Sequence, residues 1–199
     1  MKLPAPRRAS GFTLVELLVV IAIIAVLASA GFAAGNAAIQ KAKRVKAQAT
    51  ASAIESAVNN FFTEYGTMPV ENLSADTKVD TRNLQFLSVL LGTETGENPL
   101  NVRGIKFLSV KEGKRKAGGG TDGIVYEGNS NQPSGLFDPW GGVFEVMLDG
   151  DYDERITVRP SGSGAQQRTL NGRRVAVWSN GADGVNGGGK TGDDVKTWD

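Results

Sequence analysis

The chain has 199 residues, with 22 lysines and arginines against 21 aspartates and glutamates, and it contains neither cysteine nor histidine. No disulfide, thiolate metal site, cysteine nucleophile or imidazole base can be built from it, which weighs against most hydrolases and points away from an enzyme. A formal charge of +1 gives no electrostatic case for binding nucleic acid.

The first eleven residues carry Lys2, Arg7 and Arg8 and no acid; without them 19 basic side chains face 21 acidic ones. Gly11-Phe12-Thr13-Leu14-Val15-Glu16 then opens an apolar run, and from Leu17 to Ala34 there is neither a charge nor a proline. The run is long enough to cross the ~30 Å hydrocarbon layer as a helix. Glu16 is the single charge near its start, and an ionised carboxylate there costs roughly 2.5–3.5 kcal/mol on insertion scales, so it wants a partner. A secretory signal peptide also has a basic start and an apolar core, and Ala28-Ser29-Ala30 offers a small-residue cleavage site. Against that reading, the run is long for a signal core and a glutamate inside it is unhelpful. Lys41, Lys43, Arg44 and Lys46 follow the run, so charge asymmetry decides little about orientation.

Beyond Ala34 no proline interrupts before Pro69, and the helix is expected to continue to Gly66. Gly31 and Gly35 weaken it by about 1 kcal/mol each. Ala47, Ala51, Ile54, Val58, Phe61 and Tyr65 share one face, which should pack on a sheet. Residues 72–81 are polar and predict a loop. Residues 83–91 predict a short helix, capped by Thr81 and ended by Gly92. Strands are expected at 105–110, 124–126, 143–148, 156–158 and 175–178, each short, β-branched or aromatic and bounded by turn residues. One long helix before such strands argues an α+β domain with an antiparallel sheet. Lys114-Arg115-Lys116 beside Gly118-Gly119-Gly120 could grip phosphate, but no strand–loop–helix surrounds them, so 111–120 is read as a solvated hairpin loop. Residues 160–167 form a second soft segment, rich in serine and glycine.

Two motifs remain. Phe137-Asp138-Pro139-Trp140-Gly141-Gly142 predicts a turn leading into a strand. Trp178-Ser179-Asn180-Gly181-Ala182-Asp183-Gly184 and Gly192-Asp193-Asp194-Val195-Lys196-Thr197-Trp198 flank a glycine-rich stretch. Separated aspartates and a backbone free to curl suit calcium, which takes about six to eight oxygens, although the spacing fails the EF-hand pattern.

Gly11-Phe12-Thr13-Leu14-Val15-Glu16-Leu17-Leu18 resembles the processing motif of type IV pilins and of the pseudopilins of type II secretion. The resemblance implies an α+β pilin-like fold: a long N-terminal helix, membrane-spanning in its first half, packed on a small antiparallel sheet with a C-terminal loop. It divides the chain into a cytoplasmic leader (1–11), a transmembrane and filament-core helix (12–34), an amphipathic second half (35–66) and a periplasmic domain (67–199). Prepilin peptidase would cut after Gly11 and methylate Phe12, and the new amine of Phe12 would pair with Glu16 of a neighbouring subunit. Many family members carry a helix-kinking proline that Gly31-Phe32-Ala33-Ala34 lacks. Tyr65-Gly66-Thr67-Met68-Pro69, the Asp-Pro-Trp-Gly turn and the C-terminal segment are most similar to major type II pseudopilins. That likeness implies that the turn helps hold the loop 178–199, and that the loop binds calcium. Asp183 and Asp193 would be side-chain ligands, with Asp194 close behind and the carbonyls of Asn180 and Val185 as backbone ligands. Trp198 would anchor the tail. The implied function is a pseudopilus subunit at the inner membrane, whose mechanism is assembly. Its partners would be further copies, minor pseudopilins, the peptidase, the inner-membrane assembly platform, the secretion ATPase and membrane lipid, with no nucleic acid. The alternatives are a type IV pilin or minor pilin, against which the missing cysteine pair speaks, or a non-polymerising membrane-anchored calcium-binding module.

Overall fold

The computed structural model describes residues 12–128, 130–158, 167–185 and 194–198, and of 30–34 the backbone alone. Gly11, the leader, the soft segment after Val158 and Asp193 therefore lie outside the described residues. The chain divides into two compact units, 1–41 and 42–199.

Helix α1 (Leu14–Tyr65) runs for 52 residues. Thr13 caps it: the Thr13 hydroxyl accepts the Glu16 amide at 3.3 Å, while Glu16 Oε2 accepts the Thr13 amide at 2.8 Å and hydroxyl at 2.7 Å. This reciprocal capping box gives Glu16 a partner within its own chain. The helix stops at Gly66, whose φ of +69° suits glycine and whose amide returns to the Phe62 carbonyl at 2.8 Å.

In chain order the remaining elements are β1 (Thr77–Asp80), α2 (Leu84–Leu91), β2 (Lys114–Lys116), β3 (Gly119–Thr121), β4 (Gly123–Tyr126), β5 (Pro133–Phe137), β6 (Phe144–Leu148), β7 (Arg155–Val158), β8 (Arg168–Asn171), β9 (Val175–Ser179) and β10 (Val195–Lys196). Strands β1, β6, β9 and β10 form an antiparallel sheet in that order, and β2–β3, β4–β5 and β7–β8 are antiparallel pairs. The α+β architecture expected from the sequence is the one observed.

Alternation along the central strands builds two layers. Val146, Leu148, Val175 and Val177 join the main core, where Ala47, Ala51, Ile54, Val58 and Phe61 of α1 are completely buried beside Phe86, Leu87 and Leu90 of α2. The intervening Met147, Ala176 and Trp178 join Ile156, Val158 and Leu170 in a second cluster, against which Trp198 packs. Burying each large apolar side chain stabilises the fold by roughly 1.5–3 kcal/mol, which makes the amphipathic face of α1 a main source of stability in this unit. Behind β3, Asp122 adopts φ +60° and pairs with Lys111 and with Lys46, the latter at 3.5 Å. Burial acts to raise its carboxyl, but the two ammonium groups outweigh it and hold it below the ordinary value.

Four expectations need correction. Helix α2 is capped by Asn83, whose Oδ1 accepts the Phe86 amide at 3.1 Å, and not by Thr81. Thr81 is wholly buried, donating to the Leu136 carbonyl at 2.5 Å and accepting the Phe144 amide at 3.0 Å. Residues 105–110 join no strand: the Phe107 and Leu108 amides both go to the Leu90 carbonyl at 2.9 Å, seating Leu108 in the core at the end of α2. Strand β1 lies in the stretch 72–81 expected to be loop, and 111–120 holds β2 and most of β3.

Candidate functional site

The first unit presents an unusual surface. Among the described side chains, every one from Phe12 to Ser29 is exposed, including Leu14, Val15, Leu17, Leu18, Ile21, Ile23, Ile24 and Leu27. A helix that is apolar all round requires lipid or other helices as its solvent. Among the described residues no helix is long and apolar enough to cross a membrane; the described side chains of the run stop at Ser29. Glu16 Oε2 takes both Thr13 donors, so the cap makes no use of the other oxygen, Oε1.

At the other end of the chain, the turn after β5 is built around Asp138. The side chain is 1% exposed; Oδ1 accepts the amides of Trp140, Gly141 and Gly142 at 2.9, 2.8 and 2.8 Å. Its Oδ2 accepts the Ser179 hydroxyl at 2.6 Å, and Ser179 Oγ in turn accepts the Gly181 amide at 3.2 Å. A relay of two side chains thus holds the start of the C-terminal loop to the Asp-Pro-Trp-Gly turn. The tail returns as β10, pairing Lys196 with Trp178, and Trp198 meets the Trp178 ring edge-on at 5.7 Å between centroids.

Of the calcium candidates, Asp183 is exposed and its Oδ1 accepts the Val185 amide at 2.9 Å, closing a local turn. Asp194 is buried, 3.7 Å from Lys196 Nζ, with its carbonyl accepting from Arg44 at 3.4 Å. Asn180 Oδ1 is a buried oxygen without a hydrogen-bond partner among the described residues. Asp183 and Asp194 belong to no group of three acids close enough to share an ion among the described residues, and Asp193 lies outside them. Arg115 and Lys116 of the basic stretch line an open groove of about 420 Å³ with Arg82, Gly119 and Glu127, and the Arg115 guanidinium is spent on the Tyr126 carbonyl.

Residues 6–32 match the model of the prokaryotic N-terminal methylation motif. Over 103 residues the chain is 28% identical to the fimbrial protein EcpC of Eikenella corrodens, an alignment spanning 52% of this chain and 67% of that protein. These two findings support a type IV pilin-like protein. No solved structure matches the chain significantly. The matched motif covers the Thr13–Glu16 cap and the exposed apolar turns of α1, and it points to processing by prepilin peptidase and polymerisation into a filament. The capping box is a feature sequence reasoning missed, although Thr-x-x-Glu ahead of an apolar run is its written signature.

Proposed function

We propose that the chain is a structural subunit of a type II secretion pseudopilus, inserted in the inner membrane by residues 12–34 and assembled without catalysis. The observation that carries this reading is the stretch from Phe12 to Ser29: apolar on every side, exposed throughout and within the matched methylation motif. Packing these helices against one another replaces lipid with protein at little cost. Pairing Glu16 with the Phe12 amine of the next subunit relieves two charges at one depth. Because Thr13 occupies only Oε2, Oε1 can take that amine without breaking the cap.

Support for the pseudopilus reading comes from the C-terminal relay of Asp138, Ser179 and Gly181, which gives the loop 178–199 a fixed start. The oxygen donors present suit a hard ion: Asp183, Asp193 and Asp194 with the carbonyls of Asn180 and Val185, beside the buried Asn180 Oδ1, which has no partner among the described residues. Calcium there would order a glycine-rich stretch that has few side chains to bury.

Intact-mass measurement of membrane-extracted protein tests the processing step, with a methylated chain beginning at Phe12 expected. Glu16→Val should still be cleaved but should leave filaments largely absent when no wild-type copy is present. A start after Ala30, or normal filament yield from Glu16→Val, overturns the reading. The likeness to a fimbrial protein favours a second reading, a type IV pilin. A deletion strain separates the two: loss of protein export supports the pseudopilus, and loss of surface fimbriae with export intact supports the pilus.

A further inference from the structure

Strands β1 and β6 end their ladder with Thr77 opposite Leu148, so the register carries Asp76 and Asp149 to facing positions just beyond it. Like charges in that relation destabilise a sheet. Asp149 is completely buried, and its oxygens accept the amides of Asp153 at 3.2 Å and Glu154 at 2.9 Å, which folds the following turn back over it. Gly150 lies so close to the preceding segment that a Cβ there would come within 2.0 Å of the Ala75 carbonyl oxygen. The turn therefore brings Asp151 to the same place: one oxygen from each of Asp76, Asp149 and Asp151 lies within 4.8 Å of the others.

A separate observation concerns Asp76 itself. Its Oδ2 accepts the Thr157 amide at 2.9 Å, but Oδ1, buried with under 1 Å² accessible, has no hydrogen-bond partner among the described residues. The charges that bear on this carboxylate among the described residues are those of Asp151 and Asp153, both negative. A buried carboxylate oxygen with no donor, in acidic surroundings, is costly unless a cation takes it. Burial first, and the neighbouring acids second, push the Asp76 carboxyl above its ordinary value, and burial does the same for Asp149.

We propose that Asp76, Asp149 and Asp151 hold a hard divalent cation of the calcium class, at a site separate from the C-terminal loop and independent of the pilus or pseudopilus assignment. Three carboxylates offer up to six oxygens and a charge that a doubly positive ion largely cancels, and exposed Asp151 leaves one side open to water. The ion would pin the segment before β1 to the turn between β6 and β7. The sequence carries a signal for it in the alternating acids of Asp149-Gly150-Asp151-Tyr152-Asp153, although Asp153 is spent on the Arg155 amide at 2.7 Å.

The test is calcium calorimetry and thermal unfolding of the full chain in detergent micelles, in the wild-type and in an Asp183→Ala background that disables the C-terminal candidate. Asp76→Asn and Asp151→Asn should each remove one saturable site or weaken it more than tenfold in both backgrounds, and should abolish the rise in melting temperature that this site gives. Asp151 is exposed, so its variant should match the parent's melting temperature in chelator, which separates lost binding from lost folding. Terbium bound at the site should luminesce on tyrosine excitation, and Tyr152→Phe should quench that signal while calcium binding persists. Calcium titrations unchanged by both aspartate variants overturn the proposal. So does an Asp76→Asn chain that is stabilised equally in calcium and in chelator, which would mean that the carboxylates share a proton.

Discussion

Asp138 takes four donors on two oxygens while almost wholly buried. Its energetic weight lies in what its removal would strand. Asp138→Ala leaves three closely spaced amides and the Ser179 hydroxyl without their acceptor, and each orphaned buried donor costs about 1–3 kcal/mol. The variant should lose about 3 kcal/mol or more in chemical denaturation, against about 1–2 kcal/mol for Ser179→Ala, which removes two bonds, one to Asp138 and one from the Gly181 amide. Near-equal losses would show that water replaces the carboxylate at the turn. Glu16 spends its charge differently, on a two-residue cap at an exposed helix start where one oxygen remains for an outside partner. One carboxylate closes a fold; the other keeps a hand open.

The helix ends allow a controlled comparison. Gly66 and Gly92 both stop a helix at positive φ, +69° and +68°. A Cβ on Gly66 would meet open space, whereas one on Gly92 would lie 2.6 Å from the Gly104 carbonyl oxygen. Gly66→Ala should therefore cost about 1–2 kcal/mol, the left-handed penalty alone. Gly92→Ala adds a collision between two backbones and should cost clearly more in the same thermal melt; equal costs would mean that the loop at Gly104 yields freely. Both stops were legible in the sequence because a helix end is a local matter of glycine and proline. So was the buried stripe from Ala47 to Phe61, whose periodicity survives any tertiary arrangement. Strands were legible where β-branched and aromatic residues cluster, as in Phe144–Leu148 and Val175–Ser179. They were not where register alone recruits the chain, as in Lys114–Lys116 and Pro133–Phe137, whose residues have little strand preference of their own. Residues 105–110 failed in the opposite sense: the composition suits a strand, but the partner turned out to be a helix end. The alternating acids after Leu148 are visible in the sequence, but the arrival of Asp76 beside Asp149 and Asp151 depends on the pairing of β1 with β6, across more than seventy residues of chain, and no local pattern announces that.

Across the whole molecule, the last residues close over the first half of the domain. The Gln48 amide donates to the Lys196 carbonyl at 3.1 Å, and Arg173 bridges the Glu55 carboxylate at 2.9 Å and the Thr197 carbonyl at 3.1 Å. Val195 is buried in the core that the α1 face also lines. Removing residues 195–199 should leave β9 as a bare edge beside Trp178 and sacrifice roughly 1.5–3 kcal/mol at Val195 alone. Limited proteolysis should then cut the truncated domain under conditions that spare the intact one, and equal resistance would show that β10 is dispensable. The bonds of Arg44 to Asp194, Gln48 to Lys196 and Arg173 to Glu55 join positions separated by 118 to 150 residues, nearly the full extent of the domain. During synthesis α1 emerges before β10, so this core cannot close until β10 has left the ribosome and any channel the chain passes through. Until then the core that Val195 shares with Ala47, Ile54 and Phe61 lacks its closing residue, and a chain interrupted before β10 offers proteases a domain still open at that seam.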